Sequence, residues 1–170
     1  MEKTMKVNYE KFKTMSKEEY CKKYEDGLRF LFGYDICNKK DEFEMVALRV
    51  YLPKKLFKEY KIIEDFKEML SLQEKPLFKE FSKQIIKVDF EKKELITPDF
   101  FIQNDIEIIP YFSQVDETEK TEKKINKNQF FELLKQNDIK ELNYLCSYCI
   151  YGCYFWEEEY EYFCNQGELK

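Results

Sequence analysis

The chain has 170 residues, of which 44% are hydrophobic and 37% charged, with a formal net charge of −5 and no histidine. That length suffices for one core burying about two thirds of the unfolded surface, and only four Gly and four Pro argue for regular elements joined by short turns. The lack of histidine removes Ser-His-Asp and Cys-His catalysis, His-ligated zinc and the commonest general base near neutral pH, and glycine at positions 27, 33, 152 and 167 alone leaves no P-loop and no dinucleotide-binding G-x-G-x-x-G.

In chain order, the opening MEKTMKVNYEKF is charged throughout and holds no apolar run that would serve as a secretory signal, so a cytoplasmic protein is expected. Ser16 and Glu19 form a capping box, and Tyr20, Tyr24, Leu28, Leu31 and Phe32 then recur at helical spacing until Gly33, which predicts one amphipathic helix. Met45 to Leu52 reads as a strand stopped by Pro53, and Leu56, Tyr60, Ile63, Phe66 and Leu70 mark a helix from about Lys54 to Leu70. Pro76 opens a short helical turn through Phe81. Ile86, Val88 and Phe90 alternate with polar residues before a turn at Glu91 to Lys93 and a return strand to Thr97, which predicts a hairpin. Asp105 to Phe112 reads as a strand in which Pro110 is best tolerated at an edge or strand end.

Asp116 to Asn126 is charged and polar but for Ile125 and reads as a loop or linker, dividing a mixed part (1–115) from a helical C-terminal part (127–170) within a single domain. A short helix from Gln129 to Gln136 is expected, then a break and new N-cap at Asn137 and Asp138, then a long helix from Asp138 to about Cys164. No internal repeat is apparent. The order of elements predicts an α+β fold, a small and mainly antiparallel sheet packed against several helices, with a long C-terminal helix.

That last segment is the oddest. Cys146, Cys149, Cys153 and Cys164 fall within about 60° of one another on a helix turning about 100° per residue. Leu142, Leu145, Trp156, Tyr160 and Phe163 share their side, so close packing is expected in preference to a thiolate zinc or iron–sulfur site. Cys21 and Cys37 are read as reduced, packed thiols like the rest. The opposite face carries Tyr144, Tyr148, Tyr151, Phe155 and Tyr162 with Glu158 and Glu159 beside them, which is the composition of a protein-contact face for a basic partner if no neighbouring helix covers it. From Asp138 to Lys170 there are seven acids against two bases, so this region carries the whole net charge.

Other chemistry is weaker. Asp99, Asp105 and Glu107 flank a predicted strand and would hold Mg²⁺, with Lys93 near, if the hairpin folds back. Pro98 and Asp99 are similar to the opening of a metal-dependent nuclease core, but the acid-x-lysine element that should follow is missing and Glu91 and Lys93 precede instead. Twenty-seven of the 29 basic residues are Lys, so Arg29 and Arg49 alone supply the bidentate fork favoured for phosphate and base edges, and direct nucleic-acid binding is disfavoured. The longest uncharged stretch, Leu142 to Trp156, has 15 residues against the roughly 20 a bilayer needs. The expected function is a non-enzymatic protein-binding module without cofactor. It would be an inhibitor of the antidote or phage-borne counter-defence kind, occluding a basic, nucleic-acid-related partner surface. The rival is a carboxylate-held Mg enzyme or a Cys-ligated zinc protein.

Overall fold

The computed structural model describes residues 3–6, 9–25, 27–35, 45–56, 79–80, 82–116, 121–146 and 155–165, and the fold is α+β. After strand β1 (Lys3–Lys6) come two short helices, α1 (Glu10–Lys13) and α2 (Lys17–Tyr24). The predicted capping box holds: the Glu19 amide donates to Ser16 Oγ at 3.1 Å and the Ser16 amide to Glu19 Oε1 at 3.5 Å. The helix nevertheless ends at Tyr24, and Leu28, Leu31 and Phe32 belong to β2 (Leu28–Asp35). Gly27 accounts for the change of direction. A Cβ there would lie 2.2 Å from the Tyr51 ring and 2.4 Å from the Leu52 carbonyl, so the chain passes against the next strand where no longer residue fits.

Strand β3 (Met45–Leu52) pairs antiparallel with β2 along its whole length, from Leu28 opposite Leu52 to Asp35 opposite Met45. All eight of its residues are buried, which is why it reads as a continuous apolar run and not as an alternation. Of the helix expected from Lys54 to Leu70, all but its first three residues lie outside the described residues, as does most of the turn from Pro76 to Phe81. The predicted hairpin is β4 (Ile85–Asp89) and β5 (Glu94–Thr97), closed by Lys93 at φ 54° and by Asp89 Oδ1, which accepts from the Lys92 amide at 3.1 Å. Helix α3 (Asp99–Gln103) leads to β6 (Glu107–Asp116). Pro110 sits where the β3–β6 register shifts, before the stretch of β6 that pairs on its other side, so its missing N–H disturbs little of the ladder.

Within the stretch from Asp116 to Asn126, Thr121–Lys124 is a strand and not a loop: it forms β7 and pairs with Ser113 to Asp116, while 117–120 lie outside the described residues. Its charges suit a short edge strand, where lysines discourage pairing with other chains. Helix α4 (Lys127–Gln136) comes next, capped by Asn126 in a second capping box with Gln129. Asp138 takes φ 52°, but the chain then enters a strand, β8 (Glu141–Cys146), which inserts between β4 and β2. The long C-terminal helix is thereby corrected to α5, 11 residues from Phe155 to Asn165. Within β8 the alternation is of period two, Leu142 buried and Glu141 and Asn143 exposed, as in a strand with one wet face.

The eight strands make one antiparallel sheet in the order β1-β5-β4-β8-β2-β3-β6-β7. Helices cover both faces. On one, Phe101 of α3 meets Phe32 edge-on at 5.5 Å and Phe130 of α4 stacks on Phe112 at 4.1 Å. On the other, Phe163 of α5 stacks on Phe12 of α1 at 4.2 Å, and Tyr162 lies 4.8 Å from Tyr111 of β6. A short repeat does exist. Gln-Asn-Asp-Ile occurs at 103–106 and 136–139, and both copies stop a helix in the same way: Asn104 and Asn137 each donate a side-chain N–H at 2.8 Å to the carbonyl four residues back, and each Asp takes a positive φ before a strand begins. No helix among the described residues is long and apolar enough to cross a membrane.

Candidate functional site

Arg29 on β2 and Arg49 on β3 lie on the same face of the sheet, since Arg29 is opposite Tyr51 and Arg49 opposite Leu31 in one antiparallel register. The only two arginines of the chain are thus placed side by side, and both are buried. Glu159 of α5, with no solvent exposure, comes down between them. Its carboxylate accepts Arg29 Nε at 2.8 Å and Nη2 at 3.0 Å in a bidentate fork, the Tyr20 hydroxyl at 2.7 Å and Arg49 Nη1 at 3.4 Å. Arg49 reaches outward as well, to Glu122 of β7 at 3.0 Å and Glu158 at 3.6 Å. Each guanidinium rests on a tyrosine ring, Arg29 over Tyr51 at 4.9 Å and Arg49 over Tyr111 at 3.8 Å. Burial alone would lower the Arg29 guanidinium, but Glu159 beside it reverses that and holds it raised. Lysine, a point charge on a flexible stem, makes neither the fork nor the stacking.

Around this centre runs a phenolic layer. Tyr162 donates its one proton to the Ile125 carbonyl at 2.7 Å and therefore accepts from Tyr9 at 3.0 Å. Tyr24 donates to Glu107 at 3.2 Å. Ser113 Oγ, on the same face of β6 as Tyr111, is buried with no hydrogen-bond partner among the described residues. Burial raises Tyr162 to about 12 and pushes Tyr9, Tyr20, Tyr24 and Tyr111 higher still, with Glu159 adding to the shift at Tyr20 and Glu107 at Tyr24.

The consequence is an alkaline transition. Unfolded tyrosines ionise near pH 10, below the folded values, so the unfolded state loses protons first. Stability from these phenols is complete below about pH 10 and is lost as pH rises through the folded values, at about 1.4 kcal/mol per phenol per pH unit. Phenolate absorbance is expected in two steps, exposed tyrosines first and the buried set together with loss of circular dichroism. One step near pH 10 with the fold intact would contradict the burial of this layer.

The face predicted from Tyr144 to Tyr162 does not exist as one surface. Tyr144 is on β8, half-buried and packed near Phe30 and Phe32; Glu159 and Tyr162 point into the core from α5. Glu158 stays on the outside, 49% exposed. Tyr148 and Tyr151 lie outside the described residues, as does the side chain of Phe155. Of the four cysteines expected on one helical face, Cys146 is on β8 and Cys164 on α5, where it is exposed, so these two share no helix, and Cys149 and Cys153 lie outside the described residues. Cys21, half-buried on α2, has its thiol raised by burial and by Glu157 and Glu25.

The carboxylates proposed for Mg²⁺ are dispersed. Asp105 is exposed and paired with Lys55, Glu107 is paired with Lys11 at 3.4 Å and bonded to Tyr24, Asp99 opens α3 on the surface, and Lys93 reaches Asn128 at 2.6 Å. Among the described residues no three His, Cys, Asp or Glu side chains are grouped to hold a metal ion. The arginine cluster was announced by one signal, the rarity of Arg in a lysine-rich chain, but its partner was hidden in a run of three glutamates. With the fold and cluster so defined, the chain matches no family model, no curated protein and no solved structure.

Proposed function

We propose that the protein is a non-enzymatic binding module of the cytosol, of the antidote or phage-borne counter-defence kind. It would occlude a basic, nucleic-acid-related surface of a protein partner with the outer side of α5. The observation that supports this reading is the sorting of charge on one helix. Glu159, Tyr162 and Phe163 are committed to the interior, and Glu157, Glu158 and Glu161 remain on or near the surface. The inner clamp fixes the helix, so the outer acids form a rigid ridge that loses little conformational entropy on binding. A ridge of one sign steers a basic partner and raises its rate of capture. Both arginines face carboxylates inside the molecule, which leaves phosphate recognition to scattered lysines.

Glu157→Lys with Glu161→Lys tests the reading, since neither residue belongs to the arginine cluster. Affinity capture from the native cell with the tagged chain is expected to recover a basic protein with the wild type and with a Lys17→Glu/Lys22→Glu control. The double reversal is expected to lose it. Unfolding free energy should move by only about 0.5 kcal/mol, as for exposed substitutions generally. Equal recovery by the double reversal at the same salt would sink the proposal.

A further inference from the structure

Glu122 of β7 and Glu158 of α5 come from different elements to the same atom. Arg49 Nη2 has a Glu122 oxygen at 3.0 Å and a Glu158 oxygen at 3.6 Å, so one buried guanidinium holds both carboxylates where the helix borders the edge strand. Arg49 is 1% exposed, Glu122 23% and Glu158 49%, so the two acids are the outer end of the arginine cluster. Signs alternate along that cluster, from Arg29 to Glu159 to Arg49 to the outer acids, and it ends one positive charge short: two guanidinium groups meet three carboxylates. Lys124, on the same face of β7 as Glu122, does not supply the missing charge. Its ammonium is 5.9 Å from the Tyr111 ring, and it forms no ion pair among the described residues.

We propose that this outer pair is the centre of the contact made by α5 and that it takes an arginine side chain of the partner protein. The inference rests on the reading of α5 given above and names the residue that the helix receives. A third guanidinium extends the alternation to equal numbers of each sign. Arginine is selected over lysine because a planar guanidinium offers donors along two edges and can serve a carboxylate on each, whereas an ammonium is a single point of charge. Both acids are already held by Arg49, so they lose less side-chain freedom on binding than Glu157 and Glu161, which have no ion pair among the described residues. Those two act at the rim and steer the approach. A pre-ordered pair of acids around one partner arginine is also the arrangement in which few residues carry most of the binding energy.

Fluorescence anisotropy of labelled, end-blocked peptides of alternating Arg and Gly, or of Lys and Gly, against the full chain is the test. The Arg peptide is expected to bind saturably and about fivefold or more tightly than the Lys peptide. Glu122→Gln/Glu158→Gln leaves Arg49 an acceptor on each side chain, so thermal unfolding should change little. The Arg peptide should weaken about tenfold or more in that variant, and its advantage over the Lys peptide should disappear. Glu158→Gln alone, on a half-exposed side chain, keeps the test decisive if the double variant does not fold, and should weaken the Arg peptide about threefold. No saturable binding of the Arg peptide at millimolar concentration overturns the inference, as does equal affinity for the Lys peptide or unchanged binding by the Gln variants. If Glu157→Lys/Glu161→Lys loses the native partner while Glu122→Gln/Glu158→Gln captures it as the wild type does, this inference falls and the reading of α5 stands. If Arg-peptide binding depends on Glu122 and Glu158 but no basic protein is captured from the cell, the outer pair is upheld as an arginine site and the wider reading falls.

Discussion

Glu159→Ala is expected to remove about 3–5 kcal/mol of folding stability, because it leaves two guanidinium groups buried without the carboxylate that joins them. Arg29 is 3% exposed and Arg49 1%, so water does not readily replace what is lost. The two arginines are not equally affected. Arg49 keeps Glu122 and Glu158, whereas Arg29 loses the carboxylate that accepts two of its donors. Arg29→Met in the Glu159→Ala background should therefore recover part of the loss, since it removes a buried charge that has lost its carboxylate and relieves its desolvation. Glu159→Gln keeps the volume and one acceptor and should fall between wild type and alanine. Urea unfolding at neutral pH measures the series. A loss under about 1 kcal/mol for Glu159→Ala would mean that packing of Tyr162 and Phe163 holds α5 without the ionic clamp. The same variant also connects stability to function: if the clamp orients the outer acids, Glu159→Ala should lose partner capture together with stability, while Glu157→Lys/Glu161→Lys loses capture alone.

The features legible in the sequence were local. Both ends of β3, the β4–β5 hairpin with its Glu91 to Lys93 turn, and the cap at Ser16 depend on neighbours within a few residues, and all are found near where they were expected. Strands β2 and β8 were not legible, because nothing within a few residues of either decides between a helix and a strand. Leu28, Leu31 and Phe32 have spacing that a helix and a buried strand both satisfy, and the close approach at Gly27 that decides the matter involves Tyr51 and Leu52, far along the chain. In the C-terminal region an eleven-residue helix was extended backward over a strand. That extension put Tyr144 and Cys146, which belong to β8, on common faces with Tyr162 and Cys164 of α5. Within the true helix the inward stripe was readable: Glu159, Tyr162 and Phe163 stand at i, i+3 and i+4, so one glutamate of three lies in line with two aromatic residues. An acid on an apolar stripe asks for a buried cation, and Arg29 and Arg49 were the rare candidates. Nothing local says which strands carry those arginines to the same face.

Gly33→Ala carries the second large expected effect, a loss of about 3 kcal/mol or more, at the upper end of what overpacking costs. Gly33 is in the middle of β2, opposite Ala47 of β3 on one side and Asn143 of β8 on the other. A Cβ there would lie 1.9 Å from the Val46 carbonyl oxygen and 2.8 Å from the Ala47 Cα, both main-chain atoms. A side chain in the way could rotate, but a main-chain carbonyl moves only with its strand. The sheet must then open between its two central strands, beside the register that sets Arg49 against Leu31 and so places the arginine pair. The variant should unfold at lower urea and show a weakened response to Glu159→Ala, because the clamp is already displaced; two mutations acting on one structural unit are not additive. Ala47→Gly should not rescue it, since the clash is with Val46 oxygen and the Ala47 Cα, which that change leaves in place. Rescue by Ala47→Gly would show the conflict to be between side chains, and full additivity with Glu159→Ala would show the arginine cluster to be independent of the β2–β3 spacing.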